Sequence, residues 1–332
     1  MYGIDVLIEK VLLLSVMVVL GVIMRKAGKV DEKASKYFAD VVIYLTQPAM
    51  IIYSFLDVKL STEIVTTAAF VLIASMILHF GYFGLSTLLF NKSPEKQKYI
   101  LKYSVIFTNA GFMGIPLISE LFGSEAAIYA TFYVVSFNVL NWSLGCYLYT
   151  KDKSYMSPKK MLINPATVPT YIGLFFFILG GFITIPEAVA PVWSGFVVPL
   201  VKDNILFLLK STVIPLSMMM IGIRLAESNF KSMFLDKNIP LLILIRLLAI
   251  PVCVAFILKG VSMLGILPAD LVTNGSAVLV ISSSTPVAAM ATIFAERYDG
   301  DAVYASRIVS ATTLISLITM PLIAMLLLAV NI

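Results

Sequence analysis

The stretch Phe107-Thr-Asn-Ala-Gly-Phe-Met-Gly-Ile-Pro116 interrupts a long apolar run with two glycines, an asparagine and a proline. Proline removes one backbone hydrogen bond and clashes with the preceding turn, so a continuous helix is weakened here. A second apolar run contains Ile281-Ser-Ser-Ser-Thr-Pro286. Interrupted backbone inside a membrane is tolerated only where it is buried in protein or faces a cavity. The two stretches therefore predict a pair of broken membrane helices that form a binding site.

Working outward from these stretches, the chain contains ten apolar runs of membrane-spanning length. Of its 332 residues, 60% are hydrophobic and only 13% are charged, and the mean hydropathy is +0.97. A soluble domain has about 25% charged residues, so this composition indicates an all-α integral membrane protein. The predicted spans are 7–24, 37–56, 65–90, 100–122, 126–149, 168–185, 204–223, 239–258, 271–295 and 302–330.

The basic residues predict how the spans are oriented. Five alternate loops contain eighteen Lys and Arg residues: 25–36, 91–102, 151–160, 224–237 and 296–307. The opposite side has five, and Arg246 is left inside a span. Since cytoplasmic loops are enriched in basic residues, this pattern predicts a multi-pass protein of the plasma or inner membrane with both termini extracytoplasmic. The clusters follow topology and do not form a nucleic-acid-binding face.

Short matches between the two halves predict an inverted repeat. Ala127-Ile-Tyr-Ala-Thr131 resembles Ala302-Val-Tyr-Ala-Ser306, and Gly114-Ile-Pro116 resembles Ser284-Thr-Pro286. Thr46-Gln-Pro48 likewise pairs with Val213-Ile-Pro215. The matches occur in the same order, which predicts five-helix repeats at 1–150 and 151–332. Because five is odd, the second repeat enters the membrane from the opposite side, as in many secondary transporters.

The interruptions also indicate the chemistry of a ligand. Pro116 and Pro286 are suited to the first turn of a new half-helix, where a missing N–H costs nothing. Helix N-termini present free N–H groups and a partial positive charge, so a carboxylate is the ligand expected there. Asn109 and the hydroxyls of Ser282–Thr285 add hydrogen-bonding groups. The alternative interpretation is a pair of packing kinks whose backbone groups are satisfied by Ser and Thr.

Two ionisable residues inside spans have open roles. Arg246 lies in the middle of the eighth span, where it is either a structural partner of helix ends and carbonyls or an aid to anion passage. His79 lies in the third span and is the only histidine. It is interpreted as a helix–helix contact, with proton transfer as the alternative.

Several motifs resemble the auxin efflux carrier family. Thr108-Asn-Ala-Gly-Phe-Met-Gly-Ile-Pro-Leu117 is similar to the family's fourth-helix signature, and Asn164-Pro-Ala-Thr167 with Ile172-Gly173 to the opening of its sixth helix. Further similar stretches are Pro215 to Gly222-Ile-Arg-Leu-Ala226, Arg246-Leu-Leu-Ala-Ile-Pro251, and Ser284-Thr-Pro286 to Phe294-Ala-Glu-Arg-Tyr298. The resemblance extends over essentially the whole chain.

The resemblance implies a ten-helix fold shared with bile-acid sodium symporters. It implies a scaffold of helices 1, 2, 6 and 7 and a transport domain of helices 3–5 and 8–10 that slides like an elevator, with a homodimer formed through the scaffold. Members of the family carry organic anions such as auxin, malate or malonate. The substrate-binding residues implied by the motifs are Asn109, Gly111, Gly114, Pro116, Asn138, Ser283, Ser284, Thr285 and Pro286.

One departure from the bile-acid symporters concerns sodium. Val287-Ala-Ala follows Pro286, where those relatives have the Glu and Gln that hold sodium. The function expected is therefore secondary transport of a small mono- or dicarboxylate, with a sodium- or proton-coupled bile-acid-like symporter as the alternative. A membrane sensor would need a signalling domain, and an intramembrane enzyme would need catalytic motifs that the sequence lacks. No cofactor or metal site is expected.

Overall fold

The computed structural model of the chain describes residues 4–31, 33–156, 167–182, 198–227, 236–265 and 267–330. Within these residues the regular secondary structure is helical, and a single antiparallel bridge joins Thr108 to Val287. We number the main helices α1 Ile4–Lys26, α2 Ala34–Asp57, α3 Thr62–Phe90, α4 Glu95–Ile106, α5 Ile115–Leu140, α6 Thr167–Phe182, α7 Pro199–Ala226, α8 Asn238–Met263, α9 Ala269–Ser284, α10 Met290–Arg297 and α11 Ala302–Val330.

Five of these helices are long and apolar enough to cross a membrane: α2, α3, α7, α8 and α11. Shorter apolar helices lie at Thr167–Gly180 and Leu271–Ser284. The all-helical class predicted from the sequence is confirmed for the described residues, and α3 and α11 begin within a few residues of the predicted spans. The inverted arrangement of ten spans stays a prediction. The motif residues Asn164 to Ala166 lie outside the described residues.

A glycine turn divides α5 into two helical pieces. Gly123 has φ 82° and ψ −169°, a conformation that side chains with a Cβ rarely adopt. The space around Gly123 is open, so its positive φ is the reason that glycine is required. The turn falls between the predicted fourth span, which ends at 122, and the fifth, which begins at 126. After the turn the helix continues through a π turn at Asn141–Gly145 to Cys146–Thr150.

Two glycines hold α1 and α7 in close contact. A Cβ at Gly21 would collide with the carbonyl oxygen of Met219, and a Cβ at Gly222 would collide with the carbonyl oxygen of Val18. Small residues allow membrane helices to approach at backbone distance, where dispersion contacts are most numerous. The contact is reciprocal, because each helix supplies one glycine and one carbonyl oxygen that faces the glycine of the other helix.

The remaining helices pack around the interrupted stretches. Helix α2 packs against α6 and α7, α3 packs against α4, α5 and α9, and α8 packs against α9. The chain from α4 to α5 and the chain from α9 to α10 are therefore surrounded by other helices, which is the setting that non-helical backbone needs at membrane depth.

Candidate functional site

The two interrupted helices meet, and we call their meeting point the crossing, formed by residues 107–114 and 285–289. Helix α4 ends at Ile106 and α9 ends at Ser284, and the backbone beyond each is extended. Asn109 N donates to the carbonyl oxygen of Pro286 at 2.7 Å, and Ala288 N donates to that of Phe107 at 3.1 Å. The two segments thus satisfy some of each other's backbone hydrogen-bonding groups, for which lipid offers no partners.

Helical structure resumes on both sides of the crossing. The first segment, 107–114, enters a π turn at Ala110–Gly114, with Asn109 as its N-cap residue, and continues into α5. The second segment, 285–289, leads into α10 at Met290. Because the bridge is antiparallel, the two new helices leave the crossing in opposite directions. The first N–H groups of each helix have no intrahelical acceptor, so positive partial charge is concentrated on both sides of the crossing.

Asn109 supplies an unsatisfied side chain at the crossing. The residue is 7% exposed, and within the described part of the chain its amide side chain has no hydrogen-bond partner. Its backbone is fully used: besides the N–H bond to Pro286, its carbonyl oxygen accepts from Met113 N at 3.0 Å. The side chain is thus free to bind a ligand, while the backbone that carries it is fixed.

Four other predicted residues lie around the crossing. The carbonyl oxygen of Gly111 accepts a hydrogen bond from Gln47 Nε2 at 3.1 Å, which ties the π turn to α2. A Cβ at Gly114 would lie 3.6 Å from Thr285 Cγ2, so Gly114 faces the second chain directly. Ser284 and Thr285 donate their hydroxyl hydrogens to Ile281 O and Ser282 O, which leaves only their oxygen lone pairs available.

The two prolines do not begin the new half-helices as predicted. Pro116 lies at the start of α5, but helical backbone already begins at Ala110 in the π turn, so Pro116 stands in the second turn of the new half-helix. Pro286 lies in the extended backbone of the crossing itself, and the next helix begins only at Met290. The physical reason is that proline lacks an N–H and has a fixed φ, and both properties suit extended backbone as well as a helix start. The motif match between Pro116 and Pro286 therefore does not correspond to equivalent positions in the structure.

Asn138 lies on α5 beside the first interruption. It is 7% exposed, and its Nδ2 is buried without a hydrogen-bond partner. The neighbouring Phe137 packs edge-on against Phe107, with ring centroids 5.7 Å apart. A nearby asparagine has a different role, since Asn141 Oδ1 accepts a 2.6 Å hydrogen bond from Tyr103 OH.

Sequence reasoning missed two tyrosines behind the crossing, Tyr82 and Tyr133, which form a buried polar group with the predicted Ser283. Tyr82 OH and Ser283 Oγ lie 2.8 Å apart and share a hydrogen bond. The hydroxyl of Tyr133 is buried without a hydrogen-bond partner, as is Thr108 Oγ1 on the first chain of the crossing. No sequence signal distinguishes these tyrosines from the many that sit at membrane interfaces.

His79 belongs to the same buried region. Its Nδ1 lies 2.7 Å from the carbonyl oxygen of Ser75, so Nδ1 donates the hydrogen bond, and Nε2 has no partner. Its ring packs against Tyr133 at 5.4 Å and against Phe107 at 6.1 Å between centroids. His79 is thus packed between helices, in keeping with the helix–helix contact expected from the sequence.

An aromatic cluster supports the crossing on the side where α4 and α10 run. Tyr103 packs on Phe107 with centroids 4.6 Å apart and edge-on to Phe294 at 5.8 Å. Trp142 packs on Phe294 at 5.6 Å. Edge-to-face ring pairs each contribute about 0.5–1.5 kcal/mol beyond burial, so this cluster stabilises the extended segments of the crossing.

The cavity beside the crossing is small and apolar in this conformation. Its volume is about 30 Å³, close to that of a single water molecule. It lies between α1, α5, α7 and α11 and is lined by Ser15, Met113, Leu117, Met218, Ser316, Leu317, Met320 and Pro321. An organic anion does not fit in this space.

Comparisons with known proteins give a consistent result. A family model described as "Membrane transport protein" matches residues 6–161 and 150–324. The chain is also similar to an "Uncharacterized transporter" of Methanothermobacter thermautotrophicus (strain Delta H). The two are 25% identical over 324 residues, which cover 95% of this chain and 96% of that protein.

Proposed function

The chain belongs to the membrane transport protein family, as its resemblance to the auxin efflux carriers indicated, and from that premise we propose that it is a secondary transporter of a small organic anion. The substrate is a mono- or dicarboxylate of the kind that such carriers move, and it binds at the crossing. Transport proceeds by alternating access, with the helices of the crossing sliding as an elevator against a scaffold of α1, α2, α6 and α7.

The observation that carries this proposal is the amide of Asn109, which forms no hydrogen bond within the described residues and lies between two helix N-termini. A hydrogen bond from this amide to a charged ligand contributes about 1.5–3 kcal/mol. The N-termini on both sides favour a negative charge on that ligand. A carboxylate has both properties, because its oxygens accept hydrogen bonds and it is anionic.

The packing of the helices supports the elevator part of the proposal. Backbone contact at Gly21 and Gly222 joins α1 to α7, while α3 and α9 pack around the crossing. The crossing touches the proposed scaffold through the hydrogen bond from Gln47 to Gly111. A single polar contact of this kind is broken and reformed at low cost, about 0.5–1.5 kcal/mol. The proposed moving part is thus weakly tied to the proposed scaffold at this point.

The experiment that tests the function is uptake by the purified protein in proteoliposomes. Radiolabelled indole-3-acetate, malate and malonate are offered under imposed sodium, proton and potential gradients. Saturable uptake of at least one carboxylate, absent from protein-free liposomes, is expected. Uptake of none of these anions under any gradient, or saturable uptake of a cation, would reject the proposal.

The proposed topology puts both termini outside the cell membrane and the loop that contains Ser154 in the cytoplasm. Ser154 lies in an exposed turn, where its backbone and hydroxyl bond to Asp152. We expect a cysteine at this position to react with a membrane-impermeant thiol reagent only after the membrane is opened. Reaction in intact cells would reverse the topology.

A further inference from the structure

Arg246 presents a full positive charge in the protein interior. It lies in a π turn of α8, at Leu244–Ala249, and its exposed fraction is 0%. Its Nε, Nη1 and Nη2 atoms are all buried without a hydrogen-bond partner. Single π turns within α-helices occur frequently at functional sites. The guanidinium is thus fully desolvated in a helix segment whose geometry departs from the regular α-helix.

The surroundings of Arg246 do not neutralise its charge. The guanidinium lies over the ring of Tyr82, 5.6 Å from the centroid. Within the described residues, Arg246 forms neither a hydrogen bond nor an ion pair with a carboxylate. A cation–π contact offsets only part of the cost of removing an ion from water. A bound anion would supply the negative charge that balances the guanidinium.

The charge lies behind the crossing and is linked to it through short contacts. Tyr82, over which the guanidinium lies, shares a 2.8 Å hydrogen bond with Ser283 in the last turn of α9. Thr285 and Pro286 follow directly and enter the crossing. The space between is filled by protein and excludes water, so the field of the guanidinium is screened less than at a surface.

We propose that Arg246 supplies the fixed positive charge that the ligand of the crossing neutralises, so that the site takes an anion with one negative charge. This inference rests on the proposed function and narrows its substrates from mono- or dicarboxylates to monocarboxylates. A second negative charge would have only the partial charges of the two helix N-termini to balance it. Arg246 acts through the field across the crossing, as a specificity-determining residue that does not touch the ligand.

This role predicts an unusual pattern of stability. An unpaired buried charge destabilises the empty protein, so replacing it by an apolar side chain of similar size is neutral or stabilising. A purely structural arginine, bound to carbonyls or helix ends, would behave in the opposite way, because its loss would leave those groups unpaired. Melting temperature without ligand therefore separates the two roles.

The test uses the full-length protein in detergent, buffered with N-methyl-D-glucamine and HEPES so that chloride and carboxylates are absent before the titration. Indole-3-acetate, malonate and chloride are titrated separately, and the melting temperature is recorded. For the wild type we expect a saturable rise with indole-3-acetate, and about tenfold weaker binding of malonate. Arg246→Met should melt at the same temperature as the wild type or higher without anions, and should bind about tenfold more weakly. Arg246→Lys should retain the preference for a single charge.

Lys98→Met is the matched control, because it removes a cation whose ion pair with Glu95 is exposed. It should leave every anion response unchanged. A response to indole-3-acetate supports the monocarboxylate site, whereas a response to chloride without one to indole-3-acetate overturns it.

Arg246 is excluded from this role if Arg246→Met binds the anions like the wild type, melts at a lower temperature without them, or fails to fold. Equal binding of malonate and indole-3-acetate by the wild type also overturns the inference. The proposed function fails separately, if wild-type proteoliposomes take up no carboxylate. Carboxylate uptake that is unaltered in Arg246→Met contradicts the inference about Arg246 but is still consistent with the proposed function.

Discussion

The two interruptions at the crossing share the backbone bonds equally but differ in side-chain chemistry. Each donates one N–H to the other, from Asn109 to Pro286 and from Ala288 to Phe107. The first interruption also has the amide of Asn109, whereas the second continues from Pro286 into Val287, Ala288 and Ala289, which have no polar side-chain atoms. The difference teaches that pairing of the two segments and recognition of a ligand are separable: both segments build the crossing, and the first supplies the amide that can donate to an anion.

The largest effect should come from removing that amide. Asn109→Ala should lower carboxylate uptake by about ten- to a hundredfold, because a hydrogen bond to a charged ligand contributes about 1.5–3 kcal/mol. Protein abundance should not change, since the backbone bonds of Asn109 remain. Uptake in proteoliposomes and protein level are measured together.

The control for that variant is Asn91→Ala, an exposed asparagine whose Oδ1 accepts from Lys102 Nζ. It should transport like the wild type. If Asn109→Ala also transports with wild-type affinity, the amide of the first interruption has no role in binding. The difference drawn between the two interruptions is then wrong.

The next largest effect should come from the face where the two interruptions touch. Gly114→Val would push a branched side chain against Thr285 and Ala110, and overpacking of this kind costs about 1–3 kcal/mol. Gly114→Ala should be nearly silent, because its Cβ would lie in ordinary contact at 3.4 Å from Ala110 Cβ. Melting temperature and uptake are the measurements.

Gly84→Val is the matched control, because the space around Gly84 within 4 Å is open. A loss of stability equal to that of Gly114→Val would show that helix propensity causes the effect and that the contact with Thr285 does not.

The all-helical class was predictable because apolar run length fixes a membrane helix with little help from the rest of the protein. The break between the fourth and fifth predicted spans, near 123, and both interruptions also followed from composition, since Gly, Asn and Pro weaken a helix locally. The position of Pro286 did not, because a proline fits an extended chain and a helix start alike. The choice of Val287 as the bridge partner of Thr108 depends on tertiary contacts. For the same reason, nothing in the sequence linked Tyr82 to Ser283 or placed either beside Arg246.

Sodium should have no effect on transport, because the second interruption lacks the carboxylate oxygens that hard cations favour. Hard cations are bound by oxygen-rich ligand sets, and Val287, Ala288 and Ala289 offer no side-chain oxygen. The carbonyl oxygens of Phe107 and Pro286 are already hydrogen-bonded. Replacing sodium by potassium or choline, at fixed pH and membrane potential, should leave uptake unchanged. Uptake that falls to background without sodium would show that the second interruption contributes an ion site.

The smallest effect should come from His79, which packs behind the crossing and belongs to neither interruption. His79→Gln can keep the hydrogen bond to the carbonyl oxygen of Ser75 but cannot titrate. Uptake and its dependence on pH should both match the wild type, as measured between pH 5 and 8 in proteoliposomes. A pH dependence that is present in the wild type and absent from the variant would mean that a proton passes through this residue.

The reciprocal glycine contact between α1 and α7 has a practical consequence for following the protein in motion. The backbones of the two helices lie in direct contact at Gly21 and Gly222, where a Cβ would collide with a carbonyl oxygen of the neighbour, so we expect the two helices to move as one unit. The pair of helices therefore serves as a fixed reference for distance measurements by spectroscopy. A spin label or fluorophore on α7 provides a fixed origin, and a distance from it to a second label on α5 reports the displacement of the crossing alone.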